Sequence, residues 1–428
     1  MCDIITGQLI VCFPKIDNAG RRVINQIVEG QISHVSRLES IEEKLSKLDI
    51  KLDPTVELEL HLLAVPAGQE NWKANYLQFF YKHALLQELA KGTSKDFQTA
   101  IGRSDFHFIV APNYQLSLSG ASQPGPPVSV NDFHFGPHHA SYRQMVGMPA
   151  SAALLSKVRV LLLDSGIAAD ASGAGINVVS QYNFVDPQHP RIAHDDVGHG
   201  TAIALLIADL APNAEFTIVK VADANSRVSE WDALAGMLAK TDPDVVNLSL
   251  QFGLPDQKPC NTCGRGRESW ASRSAIFENI VEQMQNRTKE PIIVAAAGNS
   301  ALGELAYPAR FGNVLAVGSV NSKRQLSPSS NYGDRDHTGS QHDNHFVLPG
   351  GEIGPQNPEA VLGSSGGKNW AGTSMATAFA SGVIAHHLRK AQPGPRPRKA
   401  LLQALRVACD KNLKNYSFAT HGNGIMQA

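Results

Sequence analysis

The chain has 428 residues, enough for two domains or for one large domain with an appendage. Hydrophobic residues make up 43% and charged residues 18%, which provides a sizeable core and excludes wholesale disorder. The net charge of −1 carries no basic surplus of the kind a nucleic-acid partner requires, and no stretch approaches the roughly 18 apolar residues of a membrane span.

The N-terminal stretch MCDIITGQLIVCFPKID has no cationic leader and only a short apolar run, so no secretory signal is expected. With five scattered Cys, this favours a reducing cytoplasm over a disulfide framework. GQLIVCF reads as a strand. The following segment carries Ile24, Ile27, Val28, Val35, Leu38, Ile41, Leu45 and Leu48 at helical spacing, which predicts one long helix over 21–48. VELELHLLAV reads as a strand, NWKANYLQFFYKHALLQELAKG as a helix closed by Gly92, and DFHFIVAPNY as another strand. The Ser-, Gly- and Pro-rich stretch 117–132 then reads as a linker. This divides the chain into a smaller α/β domain, 1–125, and a larger one, 126–428.

Beyond the linker, apolar strands alternate with helices. KVRVLLLDSG, EFTIVKVAD, PDVVNLSLQFG, EPIIVAAAGNS and VLAVGSV read as strands; TAIALLIADLA, EWDALAGMLAK and ESWASRSAIFENIVEQMQN as helices. Such alternation predicts an α/β fold, a mostly parallel sheet covered on both faces in a three-layer sandwich. Ligands bind such sheets beyond the carboxyl ends of the strands. Asp164 ends one strand, Gly-flanked His199 precedes a helix, Asn299 ends another strand, and Ser374 heads the small-residue helix SMATAFASGVIAHHLRK.

Each of these residues alone has an ordinary role as a cap or turn former. Together they make a coherent chemistry. Ser374 is a weak nucleophile until a base takes its proton. His199 is the candidate base, and Asp164 the group that would hold its tautomer. Asn299 and the backbone N–H of Ser374 are candidate donors to an oxyanion.

LLLDSGI, GHGTAIA, VVNLSL, VAAAGN and GTSMAT, in this order, resemble the subtilisin-like serine peptidases, or subtilases, over roughly residues 130–428. That resemblance implies catalytic Asp164, His199 and Ser374, with Asn299 in the oxyanion hole. It also implies that Ser249, Leu250 and Gln251 pair with the substrate backbone and border the specificity pocket. Gln251 stands where the family usually has Gly, and Ala378 where it usually has Pro. Residues 1–125 resemble the family's prodomain, which implies an intramolecular inhibitor whose last strand runs towards the cleft. A domain that stays attached leaves room for an activating partner protein, with the helix over 21–48 as its docking surface.

The chemistry requires no cofactor or metal. Calcium is common in the family, but no loop here has a recognisable ligand spacing. Cys260 and Cys263, with His337, His342 and His345, offer the residue types of a zinc site, but no second Cys pair accompanies them, and two free thiols with a solvated loop are the preferred reading, with no metal expected. Two other functions are compatible with the same residues: a protease-shaped interaction module, and a peptide ligase working through the same acyl-enzyme.

Overall fold

The computed structural model of the chain describes residues 4–15, 36–64, 109–118, 128–148, 157–212, 214–252, 274–285, 289–353, 359–390 and 398–428, with positions 21, 24, 25, 28, 29 and 287. It forms two compact units. One comprises Met1–Gln115, Ser229–Lys240 and Gly253–Gln283; the other comprises Leu116–Val228, Thr241–Phe252 and Met284–Ala428.

The first unit holds strands β1 (Ile4–Pro14), β2 (Ser36–Ser40), β3 (Leu58–Ala64) and the larger part of β4 (Ile109–Leu118). They pair antiparallel in the order β4-β1-β3-β2. The long helix expected over 21–48 does not run unbroken. Described positions 21, 24, 25 and 28 are helical as expected, but positions 36–40 pair with β3 as a strand, and a separate helix runs from Ile41 to Lys47. The physical reason is a capping box: the Ser40 side chain accepts from the Glu43 backbone N–H, while the Glu43 side chain accepts from the Ser40 N–H. That start signal lies inside the apolar periodicity and overrides it. The helix expected over 71–92 lies outside the described residues.

The helix Glu230–Leu238 belongs to this unit as well. Asn113 Oδ1 accepts from the Trp231 N–H at 3.1 Å, and the Trp231 indole donates to Glu39 at 2.9 Å. Glu230 is wholly buried and accepts from the Tyr114 N–H at 3.3 Å; burial pushes its carboxyl up to about 8.

The second unit contains β5 (Phe133–Phe135), β6 (Val158–Asp164), β7 (Asn177–Asn183) and β8 (Ala214–Lys220). After β9 (Arg227–Ser229), of which only the first two residues belong here, come β10 (Val245–Leu248), β11 (Leu250–Phe252), β12 (Ile292–Ala296), β13 (Leu315–Val320) and β14 (His345–Pro349). Seven of these form one sheet, ordered β14-β13-β12-β10-β6-β8-β7, in which every pairing is parallel. This is the α/β architecture expected from the alternation. β10, β12, β13 and β14 are buried at every position, as central parallel strands are. β7 shows mixed burial because it is the sheet edge, which explains why its sequence carries no clear strand signal.

Two helices, His199–Leu210 and Thr373–Lys390, pack against each other and against this sheet. Gly382 permits the contact: a Cβ there would meet Leu210 Cβ at 2.7 Å. The strand order reverses at β6 and β10. After β6 the chain runs to the edge strand β7 and returns to β8 between them on one side, then crosses β6 and builds outwards through β10, β12, β13 and β14 on the other. The carboxyl ends of β6, β10 and β12 therefore converge at the switch point where open α/β sheets bind ligands.

One part of this core is sensitive to acid. His345 opens β14 fully buried, and His342 and His421 carry like charge towards it when protonated. Burial first, and those neighbours second, lower its pKa to about 3; burial lowers His342 and His421 as well. A histidine whose folded pKa lies below its unfolded value of about 6.5 stabilises the fold above that value and loses the contribution as pH falls. For His345 alone, the loss between pH 7 and pH 5 is about 2 kcal/mol. Urea unfolding at those two pH values should show wild type losing more stability than His345→Leu. Equal losses in the two proteins would disprove this account.

Candidate active site

The site grows from the junction between β6 and the helix His199–Leu210. Asp164 is the last residue of β6 and is wholly buried. His199 is the first residue of the helix, also wholly buried, and its Nδ1 lies 2.8 Å from Asp164 Oδ1. Asp164 Oδ1 also accepts from the Ser165 N–H at 2.7 Å. With Nδ1–H directed at the carboxylate, the neutral imidazole carries its lone pair on Nε2.

Glycine makes the junction close enough. A Cβ on Gly200 would stand 2.3 Å from the Gly166 carbonyl oxygen, so only Gly lets the helix start approach the turn after β6. Gly198 adopts φ +90°, and a Cβ there would meet the Trp370 ring at 3.0 Å. That ring covers the His199 imidazole edge-on, at 5.8 Å between centroids.

Two residues that sequence reasoning missed lock this arrangement. Asp195 is buried and accepts five hydrogen bonds, from Ser165 Oγ, Val197 N, Gly198 N, Thr201 N and Thr201 Oγ1, at 2.6–3.0 Å. Ser165 Oγ in turn accepts from the Gly200 N–H at 2.9 Å. Its single hydrogen faces Asp195 at 2.8 Å in preference to Asp164 at 3.2 Å. The signal was present: an Asp two and three residues ahead of backbone donors is an Asx-type turn.

A second cluster forms where β10, β12 and the helix Thr373–Lys390 converge. Ser374 is the second residue of its helix and wholly buried, so its hydroxyl lies past the cap position. Ser374 Oγ donates to the Ser249 carbonyl at 3.3 Å. Ser249 follows β10, and its hydroxyl donates to Asn247 Oδ1 at 2.9 Å. Asn299 follows β12; its Oδ1 accepts from the Thr373 N–H and hydroxyl at 2.9 and 3.0 Å. This fixes the amide, and Asn299 Nδ2 is buried with no hydrogen-bond acceptor among the described residues. Gly372, at φ +105°, again allows the approach, since a Cβ there would lie 2.8 Å from Asn299 Oδ1.

Leu250 and Gln251 lie in β11, which pairs antiparallel with the last three residues of β4: Leu250 with Leu118, Gln251 with Ser117, Phe252 with Leu116. The Leu118 N–H also donates to the Ser226 carbonyl at 3.2 Å. Residues 117 and 118, expected in a linker, are therefore strand. Cys260 and Cys263 lie outside the described residues. Among those described, no group of three His, Cys, Asp or Glu could hold a metal ion, and no helix is long and apolar enough to cross a membrane.

The model of the subtilase family matches residues 155–424. An alkaline protease of Alkalihalobacillus alcalophilus is 32% identical over 247 residues, covering 54% of this chain and 53% of that protein. The chain thus matches about half the length of the first of its curated relatives. The major intracellular serine protease of Bacillus subtilis is 28% identical, over 53% of this chain and 67% of its own length. Among solved structures, the epidermin leader peptide processing serine protease of Staphylococcus aureus has the same fold, with a TM-score of 0.58 at 17% identity over 98% of this chain and 96% of that one.

The Asp195 carboxylate should be indispensable to this corner of the fold. An amide in its place turns an NH2 group towards donors that need an acceptor, and a lost bond to a charged group costs about 1.5–3 kcal/mol. Asp195→Asn should be destabilised by at least that much in chemical denaturation; an unchanged midpoint would show that the five bonds contribute nothing.

Proposed function

We propose that this chain, which belongs to the subtilase family, is a serine endopeptidase acting through Ser374, His199 and Asp164. The observation that carries the reading is the buried 2.8 Å contact between His199 Nδ1 and Asp164 Oδ1. It holds the tautomer in which Nε2 can take the proton of a nucleophile. In the proposed cycle Ser374 Oγ attacks the peptide carbonyl as His199 accepts its proton. His199, now positively charged beside Asp164, returns the proton to the leaving amine. Water attacks the acyl-enzyme in the second half by the same route. Negative charge develops on the carbonyl oxygen, and Asn299 Nδ2, with the Ser374 N–H at its helix start, would stabilise it. Ser249, Leu250 and Gln251 would hold the substrate backbone. None of these steps calls for a metal or cofactor.

The second part of the proposal is restraint. An extended segment, Leu116–Leu118, already pairs with β11, with Leu116 and Leu118 buried. A substrate strand pairing with β11 would have to displace it, which supports reading this segment of the N-terminal region 1–125 as an inhibitor. We also place the enzyme inside the cell, as the name of its Bacillus subtilis relative says of that protein.

Two experiments test these proposals. A fluorophosphonate should label Ser374, and Ser374→Ala should abolish both labelling and peptide hydrolysis. Asn299→Ala should lower kcat by about 10²–10³ with little change in KM, the magnitude known from subtilisin and carried over to this chain. Wild-type turnover by Ser374→Ala would end the assignment. For restraint, Leu116→Asp with Leu118→Asp in the full chain should free β11. Burying one Leu is worth about 1.5–3 kcal/mol, so kcat/KM for a short peptide should rise at least about tenfold. If the rate stays at the wild-type value, the paired segment is no inhibitor.

A further inference from the structure

We infer that Gln251 fills the space beside the scissile position and restricts the enzyme to substrates whose attacked carbonyl belongs to glycine, alanine or serine. The inference rests on the reading of Ser374 as the nucleophile. It begins with the register of the strand already seated on β11. Residues directly opposite one another in an antiparallel pair share a face, and faces alternate along each strand. Ser117 and Gln251 therefore share one face. Leu116, Leu118, Leu250 and Phe252 share the other, and all four are buried.

A substrate strand in the same register places its next residue, beyond the one opposite Leu250, level with Ser249. The Ser249 carbonyl lies 3.3 Å from Ser374 Oγ, so this is the residue whose carbonyl the hydroxyl can reach. Alternation returns its side chain to the face of Gln251. There the side chain must enter the gap between β11 and the segment leading into Asn299. Gln251 already spans that gap: its Oε1 lies 2.9 Å from the point where a Cβ on Gly298 would stand. Asn331 Nδ2 lies 2.6 Å from the same point and adds a second polar atom. Ala306 Cβ lies 3.0 Å from that point as well, so the remaining space is short. A large apolar side chain would have to displace the Gln251 amide, whereas hydrogen, methyl or hydroxymethyl would not.

The test uses the full-length protein and peptides that carry Leu-Ser-Leu followed by Gly, Ala, Ser, Leu, Phe or Lys, with cleavage sites mapped by mass spectrometry. Wild type should cut after Gly, Ala and Ser with kcat/KM at least about tenfold above that for Leu or Phe, within the roughly 10–200-fold that one methylene can supply in a pocket. Gln251→Gly, and Gln251→Ala should the glycine variant fail to fold, should move the Phe-to-Ala ratio towards Phe by about tenfold or more. Equal wild-type rates after Ala and Phe, or a ratio unchanged by either substitution while hydrolysis proceeds, would overturn the inference and leave the peptidase reading standing. Failure of wild type and variants to hydrolyse any peptide, with Ser374 unlabelled by fluorophosphonate, would overturn that reading and this inference together.

Discussion

The buried Asp195 carboxylate is the joint on which the site turns. It is not among the groups proposed to react, yet it ties the turn after β6, through Ser165, to the first turn of the helix His199–Leu210. Asp164 and His199 come from these two elements, and their 2.8 Å contact requires both backbones to be held within a fraction of an ångström. A carboxylate is suited to that task. It accepts several donors at once, and the helix start supplies backbone N–H groups with no intrahelical acceptor. The same bonds repay the cost of burying the charge.

The second cluster uses the same device with different residues. Asn299 plays the acceptor, taking the N–H and hydroxyl of Thr373, and so orients an amide whose other end is available for a ligand. In both clusters a glycine removes the Cβ that would separate the partners: Gly200 against Gly166, Gly372 against Asn299. Each such glycine costs roughly 0.5–1 kcal/mol in chain entropy relative to alanine. The geometry of the site is thus bought with stability drawn from the apolar sheet beneath it, whose central strands are buried throughout.

Most of the sheet was legible in the sequence, and the apolar runs ending in Asp164, Ser249 and Asn299 marked strand ends that contribute to the two clusters. The parts that escaped depend on information a local pattern does not carry. β2 hides within a helical periodicity, and only the Ser40–Glu43 capping box marks the start of the separate helix Ile41–Lys47. β4 runs on to Leu118, through residues whose composition reads as a linker, because its partner β11 lies more than a hundred residues away. Ser165 and Asp195 look like turn residues in sequence, and their importance appears only when Gly200 brings the helix start onto them.

The pairing of Leu116–Leu118 with β11 bears on both the proposed selectivity and the proposed control. Main-chain hydrogen bonds to a strand edge are nearly indifferent to sequence, so recognition by pairing alone would accept almost any extended peptide. In the proposed mode of binding, discrimination would fall to the side chains that alternate along the strand, one face meeting Leu250 and Phe252, the other meeting Gln251. A tethered occupant gains from the same indifference. In the proposed restraint its effective concentration would be set by the length of its tether, of millimolar order for a short flexible one, so three paired residues would compete with free peptides without high intrinsic affinity. Such an inhibitor can be displaced by a modest change in the segment that feeds it, whereas a tight one would have to be destroyed. Under the proposed restraint, control would need no second site, because whatever frees Leu116–Leu118 from β11 would open β11 to substrate.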